Sequence, residues 1–122
     1  MIPGPLGLRW RERLKPRMET GEIAHQDWPN AYRVKRWFDL APRIGNSIFL
    51  KLYTHGAQER NYRALLLDGA LDRLLELLSN HCRQHCHELY YVTTWEMRQA
   101  VDEAAEAPRE HTAGGRVVRN IA

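Results

Sequence analysis

Apolar residues fall into short, separated groups along the chain, and their spacing predicts three helices and two strands. Asn30 is a good helix cap, and Ala31, Val34, Phe38 and Ala41 recur at intervals of three and four, so Ala31 to Leu40 is expected to be an amphipathic helix that Pro42 ends. Ile48, Phe49, Leu50, Leu52 and Tyr53 follow, broken only by Lys51 and bounded by Gly45-Asn46 and His55-Gly56. That run reads as a buried strand with a polar tip. Leu71, Leu74, Leu75 and Leu78 mark the strongest helix, from an Asp68 cap to about His85. Leu89 to Thr93 reads as a second short buried strand. In Thr93-Thr94-Trp95-Glu96 a hydroxyl precedes a glutamate by three residues, the form of a capping box, and opens a last helix with Met97, Ala100, Val101 and Ala104 on one face and its end before Pro108.

Strands separated by helices imply crossovers and a parallel sheet. Two strands are too few to cover their own edges. A third strand from Leu6 to Trp10, strands in sequence outside this chain, or a second copy would complete the sheet. Met1 to Gly7, with two prolines and two glycines, is a loop that reads like the tail of a strand, as if the chain were the end of something longer. Leu8 to Leu14 fits an irregular strand or a short helix equally well. Pro16 to Pro29 is polar and turn-rich, with Met18, Ile23 and Trp28 its only large apolar residues; a loop that long is functional or poorly ordered. Residues 1–107 are thus expected to form the folded domain and 108–122, with Gly114-Gly115, a flexible tail.

Composition adds little to this. A chain of 122 residues is one domain's worth, and 43% hydrophobic with 27% charged residues is ordinary for a globular protein. The net charge of +3 is carried by the first half, where Arg9, Arg11, Arg13, Lys15 and Arg17 alternate and Arg33, Lys35 and Arg36 form a second group. With no helix-turn-helix, zinc-finger or RNA-binding pattern, these read as a solvated face or a loop over an acidic partner, and no nucleic-acid partner is expected. Two cysteines make no disulfide framework, and nothing resembles a signal peptide or a spanning helix; the expectation is a cytoplasmic chain without a membrane partner.

Candidate chemistry gathers in two places. His55 stands just after the strand Ile48–Tyr53, where ligands and catalytic groups sit in many α/β folds, and a histidine can take or give a proton near neutral pH. It is either an acid–base group or a histidine that caps the strand end. Gln58 and Glu59 follow closely and could orient it or contact a sugar hydroxyl. The second place is His81, Cys82, His85, Cys86 and His87. Residues four apart share a helix face, so His81 with His85, or Cys82 with Cys86, could offer two ligands to zinc; a histidine-rich helix end that favours the dipole explains them as well. A disulfide between the cysteines is disfavoured by its geometric demands. Trp37 and Trp95 read as packing residues, and Trp10 and Trp28 as packing in irregular segments or as platforms for a sugar ring.

Taken together, GPLGLRWRERL, YRVKRWFDLAPRIG, FLKLYTHGAQE, LDRLLELL and ELYYVTTWEMRQAV resemble the carboxyl-terminal part of bacterial polysaccharide-deacetylase-like proteins of the NodB type, over about Ile2 to Val101. The combination carries the resemblance, above all a strand ending in THGA and another ending in YVT before Trp-Glu-Met. It implies a partial (β/α) barrel with two or three parallel strands and three helices, its amino-terminal half absent. It also implies a metal-dependent hydrolase of carbohydrate metabolism acting on acetyl groups of a glycan, or a truncated remnant of one, with His55 as the acid or electrostatic stabiliser. The divalent metal, zinc, would be held by an Asp-His-His set that has no counterpart in this chain, so no metal ligand is assigned here. The alternative is a non-catalytic α/β interaction or structural protein, a homo-oligomer or a piece completed by a missing amino-terminal segment.

Overall fold

The computed structural model describes residues 3–11, 15–107 and 116–121. Within them the chain forms β1 (Leu6–Arg11), β2 (Lys15–Thr20), α1 (Ala31–Leu40), β3 (Arg43–Ile44), β4 (Ser47–Leu52), α2 (Glu59–Tyr62), a π-helical turn (Arg63–Leu67), α3 (Ala70–Gln84), β5 (Glu88–Tyr91), α4 (Thr94–Glu106) and β6 (Arg116–Ile121).

Strand β4 is the centre of the molecule because both of its faces are covered. Ile48, Leu50 and Leu52 point to one side and join Val34, Trp37 and Phe38 of α1 and Leu74, Leu78 and Cys82 of α3 in the main core. Phe49 points to the other side and packs with Met97, Ala100, Val101 and Ala104 of α4. Side chains alternate across a strand, so covering both sides requires the nearly unbroken apolar run seen here. The α4 face is the one its spacing predicts, and its capping box is present, with Thr93 Oγ1 accepting from Glu96 N and the Glu96 carboxylate accepting from Thr93 N. The N-cap of α3 is Gly69, in left-handed geometry at φ +70, one residue after the expected Asp68 cap.

The partial (β/α) barrel is overturned. Strands β1 and β2 form an antiparallel hairpin, and β3 and β4 pair antiparallel across the two-residue turn Gly45-Asn46, with Gly45 at φ +55. Strands β4 and β5, expected to lie side by side after a helical crossover, do not pair. Each pairs instead with β6, in the order β3-β4-β6-β5. A barrel grows by adding each new strand beside the previous one with every pairing parallel; an open sheet that takes its last strand into its interior and carries an antiparallel edge is a different architecture. Among the described residues there are also four α-helices where three are expected, the extra one being the single turn α2.

Smaller differences share a cause, the hydrogen-bond partner that no local pattern reveals. Pro16 to Thr20, expected within a loop, belongs to the strand Lys15–Thr20 because Leu6 to Arg11 lies antiparallel to it, with Pro16 tolerated at its outer end opposite Trp10. Strand β5 is mostly exposed, not buried, with Tyr90 and Tyr91 at the surface. Trp95 is exposed, whereas Trp37 is fully buried. In the stretch expected as a tail, 108–115 and 122 lie outside the described residues and Arg116–Ile121 is β6. Among the described residues, no helix is long and apolar enough to cross a membrane.

Candidate functional site

Two buried charges anchor the hairpin to α1 and, through it, the segment that leads to the site. Glu19 of β2 and Arg33 of α1 are almost without solvent contact. The Glu19 carboxylate accepts from Arg33 Nη2 at 2.7 Å and from Trp37 Nε1 at 2.9 Å, and Arg9 Nε lies 2.6 Å away. Asp27 pairs with Arg9 and lies 3.7 Å from Arg33 Nη1 and 3.6 Å from Arg17. A charge buried this deeply is tolerated only when its partners are buried with it. Both ends of the segment 19–27 are therefore fixed, and Glu22 and His25 lie between them.

That segment is drawn onto the end of β4. Ile23 N donates to Tyr53 O at 2.8 Å and Tyr53 N donates to Gly21 O at 2.9 Å, a parallel bridge of Glu22 with Tyr53. The approach is possible because residue 21 is glycine: a Cβ there would lie 2.4 Å from the Lys51 carbonyl oxygen. Beyond Tyr53 the chain presents His55, exposed, with its Nε2 3.8 Å from a Glu22 carboxylate oxygen and its ring edge-on to Tyr53 at 6.1 Å between centroids. The separation is too long for a hydrogen bond and close enough for an ion pair once the imidazole is protonated.

Asn61, buried at the end of this loop, sets the chemistry of a second histidine. Its Oδ1 accepts from the backbone N–H of His25 at 2.9 Å, and its Nδ2 donates to the backbone carbonyl of His55 at 3.2 Å. A backbone N–H can only donate and a carbonyl can only accept, so the amide has one possible orientation. The His25 Nδ1, 3.0 Å from the same Oδ1, must then carry its proton toward it. In the neutral imidazole this leaves the Nε2 lone pair as the free acceptor, the arrangement used by histidine bases and metal ligands. Gln58, one of the residues expected to support His55, does so indirectly: its Oε1 accepts from Asn61 Nδ2 at 3.3 Å. Glu59 instead pairs with Arg63 at 3.0 Å, both at the surface.

Sequence reasoning missed Glu22, His25 and Asn61. A signal for the first two was present, since a stretch set aside as a polar loop holds Glu22, His25 and Asp27 within six residues. Asn61 carries no local signal at all.

The other candidate cluster lies away from this site, where α3 ends. The His81 and His85 rings lie tilted against each other at 4.4 Å between centroids, His85 and His87 stack at 6.1 Å, and Phe38 packs on His81 at 4.3 Å. Burial, with the nearby imidazoles of His85 and His87 and Lys35 adding to it and Asp39 opposing, holds the His81 pKa below its ordinary value. Neither cysteine is in a disulfide; Cys82 is buried and Cys86 exposed. Among the described residues, no three metal-ligating side chains surround a common centre.

No protein-family model, curated protein or solved structure matches the chain.

Proposed function

We propose that the chain carries the acid–base site of a carbohydrate-deacetylase-type hydrolase, in which His25 and His55 handle the two protons of acetyl hydrolysis. The observation that carries this reading is the Asn61 clamp, which frees His25 Nε2 to accept a proton while tethering the loop that presents His55 beside Glu22. Resemblance of FLKLYTHGAQE and ELYYVTTWEM to the deacetylase-like proteins supplies the substrate class, an acetylated glycan.

Hydrolysis of an N-acetyl group joins a water oxygen to the acetyl carbon and breaks the carbon–nitrogen bond, releasing acetate and an amine. His25 Nε2 takes the proton that water loses. His55, beside the Glu22 carboxylate, returns one to the leaving nitrogen. The resemblance also implies a divalent metal, but Glu22, His25 and His55 do not form a three-ligand set, and the proton steps rest on the chain's own side chains. Gln58 holds Asn61, and Glu59, at the surface beside Arg63, is the candidate for a sugar hydroxyl.

Acetate release from acetylated chitooligosaccharides by the full chain tests the reading. His55→Ala is expected to lower the rate by roughly 10²- to 10⁴-fold. A wild-type chain that releases no acetate, or a His55→Ala chain as fast as wild type, overturns it.

One observation favours a second reading, a non-catalytic protein that associates with its own copies. The outer face of the hairpin exposes Leu6, Leu8, Trp10 and Met18, each at 60–64%, with Leu8 and Met18 directly opposite one another. A contiguous patch of this kind marks an interaction surface more often than a solvated one. Sedimentation velocity distinguishes the readings: self-association abolished by Trp10→Ser, with no hydrolysis, favours the second.

A further inference from the structure

We propose that His81, His85 and His87 form a proton-sensitive latch that holds the carboxyl end of α3 against α1 at neutral pH and releases it when the imidazoles become charged. The latch is separate from the acid–base residues and does not depend on the reading given to them.

Four rings close on one another at this corner. Phe38 packs on His81 at 4.3 Å between centroids, His81 lies tilted against His85 at 4.4 Å, His85 stacks on His87 at 6.1 Å, and His87 stacks on Phe38 at 6.3 Å. The cycle joins three parts of the chain: Phe38 belongs to α1 and the main core, His81 and His85 to the last turn and cap of α3, and His87 directly precedes β5. The backbone makes the same closure. The Cys86 N–H donates to Arg83 O at 3.3 Å and the His87 N–H donates to Cys82 O at 2.9 Å, a Schellman motif in which Cys86 takes the left-handed position, at φ +54, where glycine is usual. A turn that its own residue disfavours persists only through the contacts around it.

Those contacts suit neutral rings and not charged ones. Protonation would put like charges on adjacent rings 4.4 and 6.1 Å apart. From α1, Lys35 and Asp39 face His81; Lys35 adds to the repulsion, and Asp39, which opposes it, is paired with Arg36 at 3.5 Å. Along the histidines' own segments Arg83 is a further cation, donating to Asn80 at 2.7 Å, and the Glu88 carboxylate after His87 accepts from the Tyr90 hydroxyl at 2.6 Å. The carboxyl end of a helix favours a cation, but that attraction is modest and three imidazolium ions share it. Burial, followed by the neighbouring imidazoles, holds the His81 pKa below its ordinary value. The closed latch therefore binds protons more weakly than the open one, and acid favours release.

Cys82, next to His81 in the main core and only 2% exposed, reports the opening. Labelling of the full chain carrying Cys86→Ser with dithiodipyridine at about pH 7.5 and about pH 5.5, each rate divided by that of the urea-unfolded chain at the same pH, tests the latch. Cys82 labelling should rise about tenfold or more at the lower pH, the change that one pKa unit of differential proton binding produces, while far-ultraviolet circular dichroism stays unchanged. Adding His85→Phe and His87→Phe, which keep the rings and remove their charge, should take away most of the rise in a chain that circular dichroism shows to be folded. Equal labelling at the two pH values, an undiminished rise in the phenylalanine variant, or a rise that accompanies loss of the whole dichroism signal would each overturn the proposal.

Discussion

Replacing Glu19 by glutamine removes one negative charge from the most buried ionic group among the described residues. The carboxylate now faces two buried guanidinium groups, Arg33 through three hydrogen bonds and Arg9 at 2.6 Å, and it accepts from Trp37 as well. Glutamine keeps one acceptor oxygen but turns an amide N–H₂ toward donors. Among the described residues, Asp27 is then the one carboxylate paired with both Arg9 and Arg33, and Arg33 is left with carbonyl partners such as Glu22 O at 2.9 Å. Breaking a buried pair by removing one partner costs about 3–5 kcal/mol. At about 0.05–0.15 kcal/mol per residue the whole domain is held by roughly 6–18 kcal/mol, so the loss is a substantial share of it. Urea denaturation followed by far-ultraviolet circular dichroism reads the effect: with a slope of about 2 kcal/mol per molar, the midpoint falls by about 1.5–2.5 M. A drop below about 0.5 M at unchanged slope would refute the reasoning, since it would mean that the two arginines find other compensation. Exchanging Glu19 and Arg33 together for apolar residues of similar volume should recover much of the loss.

Two further outcomes follow from the end of α3 and from α4. Cys86→Gly should raise stability by up to about 1 kcal/mol in urea denaturation, because glycine adopts the left-handed turn without the Cβ conflict. Stability should fall as the pH is lowered. His81 has its folded pKa depressed, so its contribution is complete above its ordinary 6.5 and is lost as the pH falls through the depressed value. Glu96, whose carboxylate Thr93 stabilises through its backbone N–H and then its hydroxyl, also has a depressed pKa, and its contribution disappears in turn below the ordinary 4.5. Thermal melts between pH 4 and 8, with His81→Gln flattening the upper part of the curve, check the assignment.

What the sequence made legible was what a single element decides for itself. The periodicities of α1, α3 and α4, the Asn30 cap, the capping box and the two-faced run of β4 are local, and each is where the pattern placed it. Topology was not legible, because pairing is decided elsewhere in the chain: Val117 lies between Ile48 and Leu89, some seventy and thirty residues away, and nothing around Val117 announces it. The same division runs through the site. His55 follows visibly from an apolar run that ends in a polar turn, while Glu22 reaches it through a single parallel bridge, and His25 gains its tautomer from an asparagine 36 residues away. Arg33, which an amphipathic reading of α1 places on the solvent side, is buried because Glu19 is buried opposite it.

The tautomer of His25 tests the site most directly. In a long-range proton–nitrogen correlation spectrum of the labelled full chain at a pH where the ring is neutral, His25 should show the pattern of a proton on Nδ1, and Asn61→Ala should release it to the Nε2-protonated form that free histidine prefers. A wild-type His25 protonated on Nε2 would contradict the clamp, and with it the assignment of His25 as the proton acceptor.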